Sequence, residues 1–240
     1  MRDNPAPLLL LTRPDADAEA MARDFTDRAT CIVAPLIGIE ATGAAVDLSG
    51  VTGLILTSRN AVPFVPPSGL PAFVVGPETA RLAGARGLDV RVTARDAEDL
   101  VARLTADPPP GPLLHLRGDN ARGGIEERLS SAGTETHSTI VYRATLRDLS
   151  AAARVTLQGE RRVILPLFSP RTARQFRDTA PRGGAPVDAI CLSPAVAEAL
   201  GDWPVARLEI VARPDGAHMA RAIDARIAAT ALLEGGRGAH

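Results

Sequence analysis

Leu54-Ile55-Leu56-Thr57-Ser58-Arg59-Asn60-Ala61 is a short apolar run that stops at a polar turn and opens a helix-like segment. Ser, Thr, Asp and Asn cap helix N-termini, and Pro suits the first helical position. The stretch therefore reads as the carboxyl end of a strand feeding a helix. The same grammar recurs along the chain. Residues 8–11 run into Thr12-Arg13-Pro14, and 73–75 into Gly76-Pro77-Glu78-Thr79. Residues 113–116 run into Arg117-Gly118-Asp119-Asn120, and 163–168 into Ser169-Pro170. Residues 190–192 run into Ser193-Pro194, and 208–212 into Arg213-Pro214. Strand and helix alternate, which argues for parallel α/β sheets. In an open sheet of that kind the carboxyl strand ends gather at one edge, where ligands bind. Helix N-termini there offer free N–H groups and partial positive charge, so the edge suits an anion.

The remaining chain fits this frame. A helix is expected over about 14–28 and a strand near 30–33. An extended piece follows at Pro35-Leu36-Ile37-Gly38-Ile39-Glu40, and another spans 135–142. Helical periodicity marks 78–85, 97–105 and 125–132, and a strand is expected at 90–92. Asp107-Pro108-Pro109-Pro110-Gly111-Pro112 reads as a stiff surface connection. The middle set of strands echoes the last. Leu54 to Ala61 resembles Leu165-Pro166-Leu167-Phe168-Ser169-Pro170-Arg171-Thr172-Ala173. Val74-Val75-Gly76-Pro77-Glu78-Thr79-Ala80 resembles Ile190-Cys191-Leu192-Ser193-Pro194-Ala195-Val196-Ala197. Either an internal duplication or the shared strand–cap–helix grammar accounts for this.

Composition excludes several chemistries. The chain has 240 residues, 45% hydrophobic and only 3% aromatic, so aliphatic side chains and Ala must fill the core. A net charge of −1 gives no global attraction to nucleic acid. The chain contains no lysine, which removes Walker A chemistry, a lysine Schiff base and a lysine general base. Arginine suits bidentate carboxylate recognition. His115, His137, His218 and His240 lack metal-ligand spacing, so no metal site is expected. Cys31 and Cys191 sit in apolar stretches and read as buried free thiols. No signal peptide or transmembrane run is expected, which points to a cytoplasmic protein with no membrane partner.

The ordered motifs resemble the uroporphyrinogen-III synthase family. They are Leu-Thr-Arg-Pro at 11–14, Pro-Leu-Ile at 35–37, Leu-Thr-Ser-Arg-Asn-Ala-Val at 56–62 and Val-Gly-Pro-Glu-Thr-Ala at 75–80. They continue with Leu-Arg-Gly-Asp-Asn-Ala-Arg at 116–122, Val-Tyr-Arg at 141–143, Phe-Ser-Pro-Arg-Thr-Ala at 168–173 and Leu-Ser-Pro-Ala-Val-Ala at 192–197. Each is weak alone; their order across nearly the whole chain is specific. The resemblance implies two similar flavodoxin-like α/β domains with parallel sheets, joined by a two-stranded linker. The first domain would hold residues 1–34 plus 147–240 and the second 45–138, with 35–44 and 139–146 as linker strands. The substrate would lie in the cleft between them.

The implied activity is a lyase reaction of tetrapyrrole biosynthesis, serving heme, siroheme, cobalamin or chlorophyll. Hydroxymethylbilane, a polycarboxylated linear tetrapyrrole, is cyclised with inversion of ring D and loss of water, through a spirocyclic pyrrolenine. No cofactor is needed, and the chain is expected to act as a monomer. Tyr142, the one tyrosine in the chain, sits in the Val-Tyr-Arg motif and is the catalytic candidate. Its phenol would assist the departing hydroxyl, or else pack for shape alone. Arg117 and Arg122 flank a glycine turn and would clamp carboxylate arms, or else pair at the surface with Asp119 or Glu126, while Gly118 permits close backbone approach. Arg13, Arg59 and Arg171 are further strand-end candidates. Ser58, Thr79, Ser169 and Ser193, with Gly76, would cap or open helices whose N–H groups face the ligand.

The chain departs from the family pattern at two places. Some members carry Gly-x-Thr-Thr-Ala where this chain has Ser193-Pro194-Ala195-Val196-Ala197, which leaves only Ser193 to supply a hydroxyl there. Pro63, Pro66, Pro67 and Pro71 follow Ala61-Val62, so a helix found there in relatives should be reduced. Two other functions fit the same architecture. One is a non-enzymatic hinged module that binds an anionic metabolite. The other is a phosphate-binding α/β enzyme, disfavoured by the absence of a Gly-rich phosphate loop. Neither accounts for the ordered motifs.

Overall fold

The computed structural model describes residues 6–121 and 123–237. The chain divides into two compact units, Met1–Gly38 with Leu146–His240, and Ile39–Thr145. Unit 1 is built on strands β1 (Leu8–Leu11) and β2 (Thr30–Val33). Strand β3 (Ile37–Ala41) leads from unit 1 into unit 2, which holds β4 (Gly53–Leu56), β5 (Pro71–Val75), β6 (Asp89–Ala94), β7 (Leu113–Gly118) and all but the last residue of β8 (Thr136–Leu146). The chain returns to unit 1 through β9 (Val163–Leu167), β10 (Val187–Cys191) and β11 (Arg207–Ile210).

The helices alternate with these strands as the apolar runs dictate. They are α1 (Asp15–Phe25), α2 (Pro77–Ala85), α3 (Ala97–Ala106), α4 (Ile125–Ser131), α5 (Ala151–Gln158), α6 (Pro170–Thr179), α7 (Pro194–Leu200) and α8 (Gly216–Arg237). A 3-10 helix occupies Arg59–Phe64 and carries Pro63 inside it. Proline removes a backbone donor and clashes with the preceding turn, which explains why no longer helix forms there. Pro77, Pro170 and Pro194 each stand at the first turn of their helix, where the missing N–H costs nothing. No helix among the described residues is long and apolar enough to cross a membrane.

Unit 1 carries a five-stranded sheet in the order β11-β10-β9-β1-β2, parallel throughout. Counted in chain order within the unit this is 2-1-3-4-5, the flavodoxin-like arrangement. Alternate strand residues face opposite layers. Leu8, Leu10, Leu165 and Leu167 pack on α5, α6 and α7, where Phe176 meets Trp203 edge-on at 4.8 Å. Leu9, Leu11, Ile164 and Ile190 pack on α1 and α8 through Ala18, Phe25, Met219 and Ile223.

Unit 2 carries six strands in the order β3-β8-β7-β4-β5-β6. The pairings of β4 to β8 are parallel. At the edge, the Thr42 N–H donates to the Val141 carbonyl and the Arg147 N–H to the Leu36 carbonyl, so β3 and β8 run in opposite directions. Leu54, Leu56, Val74 and Leu116 face the 3-10 helix and α2, while Ile55, Phe73 and Leu113 face α3 and α4.

The two units share one topology, circularly permuted. Reading β9-β10-β11-β1-β2 of unit 1 against β4-β5-β6-β7-β8 of unit 2 gives the same spatial order, with equivalent helices on equivalent faces. The echo between 54–61 and 165–173, and that between 74–80 and 190–197, fall on matching positions: β4 with β9, β5 with β10. Segment 42–52, non-helical, lies where unit 1 has α5; its Val46, Leu48 and Val51 pack on the unit 2 core.

Candidate functional site

Strand order reverses between β4 and β7 in unit 2, and between β9 and β1 in unit 1. At such a switch point the loops leave in opposite directions and open a crevice at the carboxyl ends. The candidate residues fall around these two places.

In unit 2, Ser58 caps the 3-10 helix, its Oγ accepting from the Asn60 N–H at 3.2 Å. Arg59 follows in the first turn, and its charge helps lower the Glu78 carboxyl, whose main cause of depression is the hydrogen bond from Arg81. Gly76 precedes α2 with φ +83°, a left-handed conformation that glycine adopts without strain, and donates to the Ala94 carbonyl at 2.9 Å. Thr79 is buried in the first turn of α2.

Beyond β7 the helix expected over 125–132 follows after a loop. Strand β7 runs on through Gly118, and α4 starts at Ile125, after a loop containing Gly123 and Gly124 at positive φ. Arg122 lies outside the described residues. Arg117 is only partly exposed. Its Nε stands 3.2 Å from Glu126 Oε1 and 3.3 Å from Ser138 Oγ, and Nη1 donates to the Gly118 carbonyl. This guanidinium already serves an internal carboxylate.

Gly118 permits the close approach of a side chain. The Tyr142 ring lies on it, so a Cβ at this position would stand 2.6 Å from Tyr142 Cζ and 2.9 Å from the phenol oxygen. Tyr142 is 9% exposed, and its ring is near parallel to Phe64 at a centroid distance of 6.3 Å. The Asp119 N–H donates to the Tyr142 carbonyl at 3.1 Å and fixes the backbone beneath the ring.

In unit 1 the two strand ends at the switch point meet directly. The Arg13 guanidinium lies 4.2 Å above the centre of the Phe168 ring, pairs with Asp17 at 2.8 Å, and is lowered in pKa by burial. Ser169 caps α6, its Oγ accepting from the Thr172 N–H at 3.2 Å, and Arg171 stands in the first turn of that helix. Ser193 occupies the corresponding position before α7, yet its hydroxyl makes no capping bond; only its carbonyl accepts from the helix. Cys191 is buried and its thiol is pushed up to about 11 by desolvation. Cys31, expected to be buried, is half-exposed on β2 because that strand lies at the sheet edge.

One cluster at the unit 2 switch point escaped the sequence reading. His115 is 1% exposed within the apolar strand β7. Its Nδ1 stands 2.9 Å from Glu126 Oε1 and its Nε2 3.0 Å from Thr57 Oγ1. Glu126 is held down to about 2, chiefly by the hydrogen bond from His115. The signal available was a polar residue inside Leu113-Leu114-His115-Leu116, whose partners lie 58 and 11 residues away. Only the β4–β7 pairing, with Ile55 opposite His115, brings Thr57 to the ring.

The family model described as Uroporphyrinogen-III synthase HemD matches residues 20–221 of the chain. No curated protein sequence matches it. Among solved structures the chain is similar to uroporphyrinogen-III synthetase from Helicobacter pylori 26695, with a TM-score of 0.62 and 16% identity over 92% of this chain and 99% of that one. At that identity the likeness bears on the fold alone. It is also similar to a mutant uroporphyrinogen III synthase from the extreme thermophile Thermus thermophilus, with a TM-score of 0.43 and 15% identity over 95% of this chain and 99% of that one.

Proposed function

The chain belongs to the uroporphyrinogen-III synthase family, and on that footing we propose that it closes hydroxymethylbilane into uroporphyrinogen III, with inversion of ring D and release of water. The observation that carries this reading is the family match across residues 20–221. The reaction begins with loss of hydroxyl from the ring A methylene, which leaves an electrophilic azafulvene. The substituted carbon of ring D attacks it and forms a spirocyclic pyrrolenine, which fragments and recloses with the ring inverted. An unguided substrate closes at the unsubstituted carbon and gives isomer I. The protein's main contribution is therefore to hold one folded conformer, with acid assistance to hydroxyl departure as an addition.

The residues are apt for these tasks. The substrate carries carboxylate arms, and the carboxyl edges bear helix N-termini beside Arg13, Arg59, Arg117 and Arg171. We assign substrate contact to these groups and to Ser58, Gly76, Thr79, Gly118, Ser169 and Ser193. Ser193 is the most available hydroxyl of the three serines, since its side chain is not spent on a cap. Tyr142, held flat on Gly118, is the group we assign to the departing hydroxyl; a phenol O–H can donate to it.

The test is an assay of the purified protein on freshly made hydroxymethylbilane, with the III and I isomers separated by chromatography. An excess of isomer III over the enzyme-free control is the expected result. Isomer I alone, from folded protein, refutes the proposal and shifts the weight to an anion-binding module on the same fold.

A further inference from the structure

The proline-rich stretch after Ala61-Val62 shapes the surroundings of Tyr142. In unit 1, β9 leads into α6, a regular helix of ten residues. In unit 2 the corresponding β4 leads into a 3-10 turn that ends at Phe64, and Val65 is already extended. Ser58 caps the start of this turn, and Ala61 and Val62 are buried in the unit 2 core. Arg86, at the end of α2, holds its other end. The Arg86 Nη2 donates to the Pro63 carbonyl at 2.9 Å and to the Val65 carbonyl at 3.0 Å. These two carbonyls flank Phe64 in the chain, so the backbone that carries its ring is tied on both sides. A helix continuing past Val65 would engage both carbonyls in its own ladder; ending the turn here frees them for Arg86.

The Phe64 side chain is half-buried and packs on the core cluster that contains Tyr142. The two rings lie 14° apart in plane with centroids 6.3 Å apart, within the range of an offset aromatic pair. Two groups therefore define the place of the Tyr142 ring. Gly118, by lacking a Cβ, leaves room for it, and Phe64, by lying near parallel, favours its orientation. We propose that Phe64, seated by Arg86, sets the position of the Tyr142 phenol toward the departing hydroxyl. Phe64 and Arg86 are positioning residues, which act on the reaction only through Tyr142. The inference rests on the synthase reading and on the role given there to Tyr142.

The test uses the full chain and compares the wild type with Phe64→Leu, Arg86→Leu, Tyr142→Phe, and each of the first two changes combined with Tyr142→Phe. Leucine keeps the apolar burial at position 64 and removes the flat face. Aromatic pairing is worth a factor of about two to ten beyond burial, so kcat for isomer III should fall by that much in Phe64→Leu. Arg86→Leu loosens the seat and leaves the ring, and should lower kcat by about two- to fivefold. KM should stay within about twofold in both, because neither residue is given a substrate contact. On the Tyr142→Phe background each change should cost less than about twofold, since the hydroxyl they place is gone. Equal losses on the two backgrounds, a raised KM with kcat unchanged, or wild-type kcat in both single variants would each overturn the proposal. Should Phe64→Leu not fold, the exposed Arg86 decides through its own variants. A second readout is independent of turnover. Tyr142 is the one tyrosine of the chain, so labelled tyrosine gives a single set of ring signals in NMR. Its ring should flip faster in Phe64→Leu and Arg86→Leu than in the wild type; an unchanged flip rate overturns the proposal even in an active synthase. Wild-type rates in Tyr142→Phe overturn the role of Tyr142 and this proposal while the synthase reading stands. A wild-type chain that makes no isomer III overturns the synthase reading and this proposal together.

Discussion

Replacing Gly118 with Ala puts a methyl carbon against the Tyr142 ring. The new Cβ would lie 2.6 Å from Cζ, 2.7 Å from Cε2 and 2.9 Å from the phenol oxygen. Carbon atoms settle near 3.5–4.0 Å, so the ring must retreat by about 1 Å. It has little room, being 9% exposed, faced by Phe64, and held at its backbone by the Asp119 N–H. Overpacking of this kind costs about 1–3 kcal/mol. A displacement of about 1 Å at a reacting group costs on the order of a hundredfold in rate. The two penalties have different origins and can be separated on a Tyr142→Phe background. Phenylalanine keeps Cζ and Cε2, so Gly118→Ala should destabilise that protein as well. It lacks the hydroxyl whose position matters, so the same change should no longer cost a hundredfold in isomer III formation. Urea unfolding gives the first quantity and initial rates the second. A Gly118→Ala protein as stable and as fast as the wild type would refute the reasoning. So would rate losses that multiply in the double variant, since Tyr142 would not then be the group through which Gly118 acts.

Tyr142→Phe alone should slow isomer III formation by roughly a hundredfold at most, the low end of acid assistance, without abolishing it; complete loss would mean that conformer control is secondary. Glu126 is depressed from 4.5 to about 2, so the stability it contributes is complete above about pH 4.5 and drains away as pH falls toward 2. Urea midpoints of wild type and Glu126→Gln should therefore differ at pH 6 and converge in acid; a constant difference would count against the assignment. Ser169→Ala should cost about 1 kcal/mol through its lost cap and Ser193→Ala much less, which thermal unfolding of the two variants will check. In the folded protein a thiol reagent should modify Cys31 before Cys191, whose burial raises its thiol to about 11.

The strands and the caps were legible because each is a local matter. Ser58, Ser169, Pro77, Pro170 and Pro194 mark helix starts by their own hydrogen bonds and fixed dihedral angles, with no help from distant chain. The reduced helix after Ala61 was legible for the same reason: Pro63 sits inside it. What local grammar cannot show is where a side chain goes when its partner is remote. Arg117 read either as a carboxylate clamp or as a partner of Asp119 or Glu126, and only the fold decides that it turns onto Glu126 and Ser138. Ser193 has the same sequence context as Ser169, yet one hydroxyl caps its helix and the other does not. His115 was passed over because it was weighed as a metal ligand, whereas its partners are a hydroxyl and a carboxylate that only sheet pairing delivers.

The permuted repetition explains how much of the site is duplicated and how much is not. A substrate with many similar carboxylates needs many similar anion-binding edges, and a repeated strand–cap–helix unit supplies them with little new sequence. Ser58 and Ser169 occupy equivalent capping positions, each followed by an arginine in the next turn. The chemistry, by contrast, happens only where the two ends of the substrate meet, and duplicated residues would be of no use to it. The roles proposed for the described residues follow that division. Equivalent positions Thr57 and Phe168 both bridge a switch point, but one does so through an imidazole and a carboxylate and the other by lying under a guanidinium. Tyr142 and its glycine platform likewise belong to unit 2. If unit 2 carries the reacting groups and unit 1 only binding groups, charge removal in unit 1 should act on KM. Arg13→Leu, which leaves Phe168 in an apolar setting, should raise KM by about three- to tenfold, the weight of one charge-assisted contact, with kcat little changed. A fall in kcat with KM unchanged would place part of the chemistry in unit 1 and break the division.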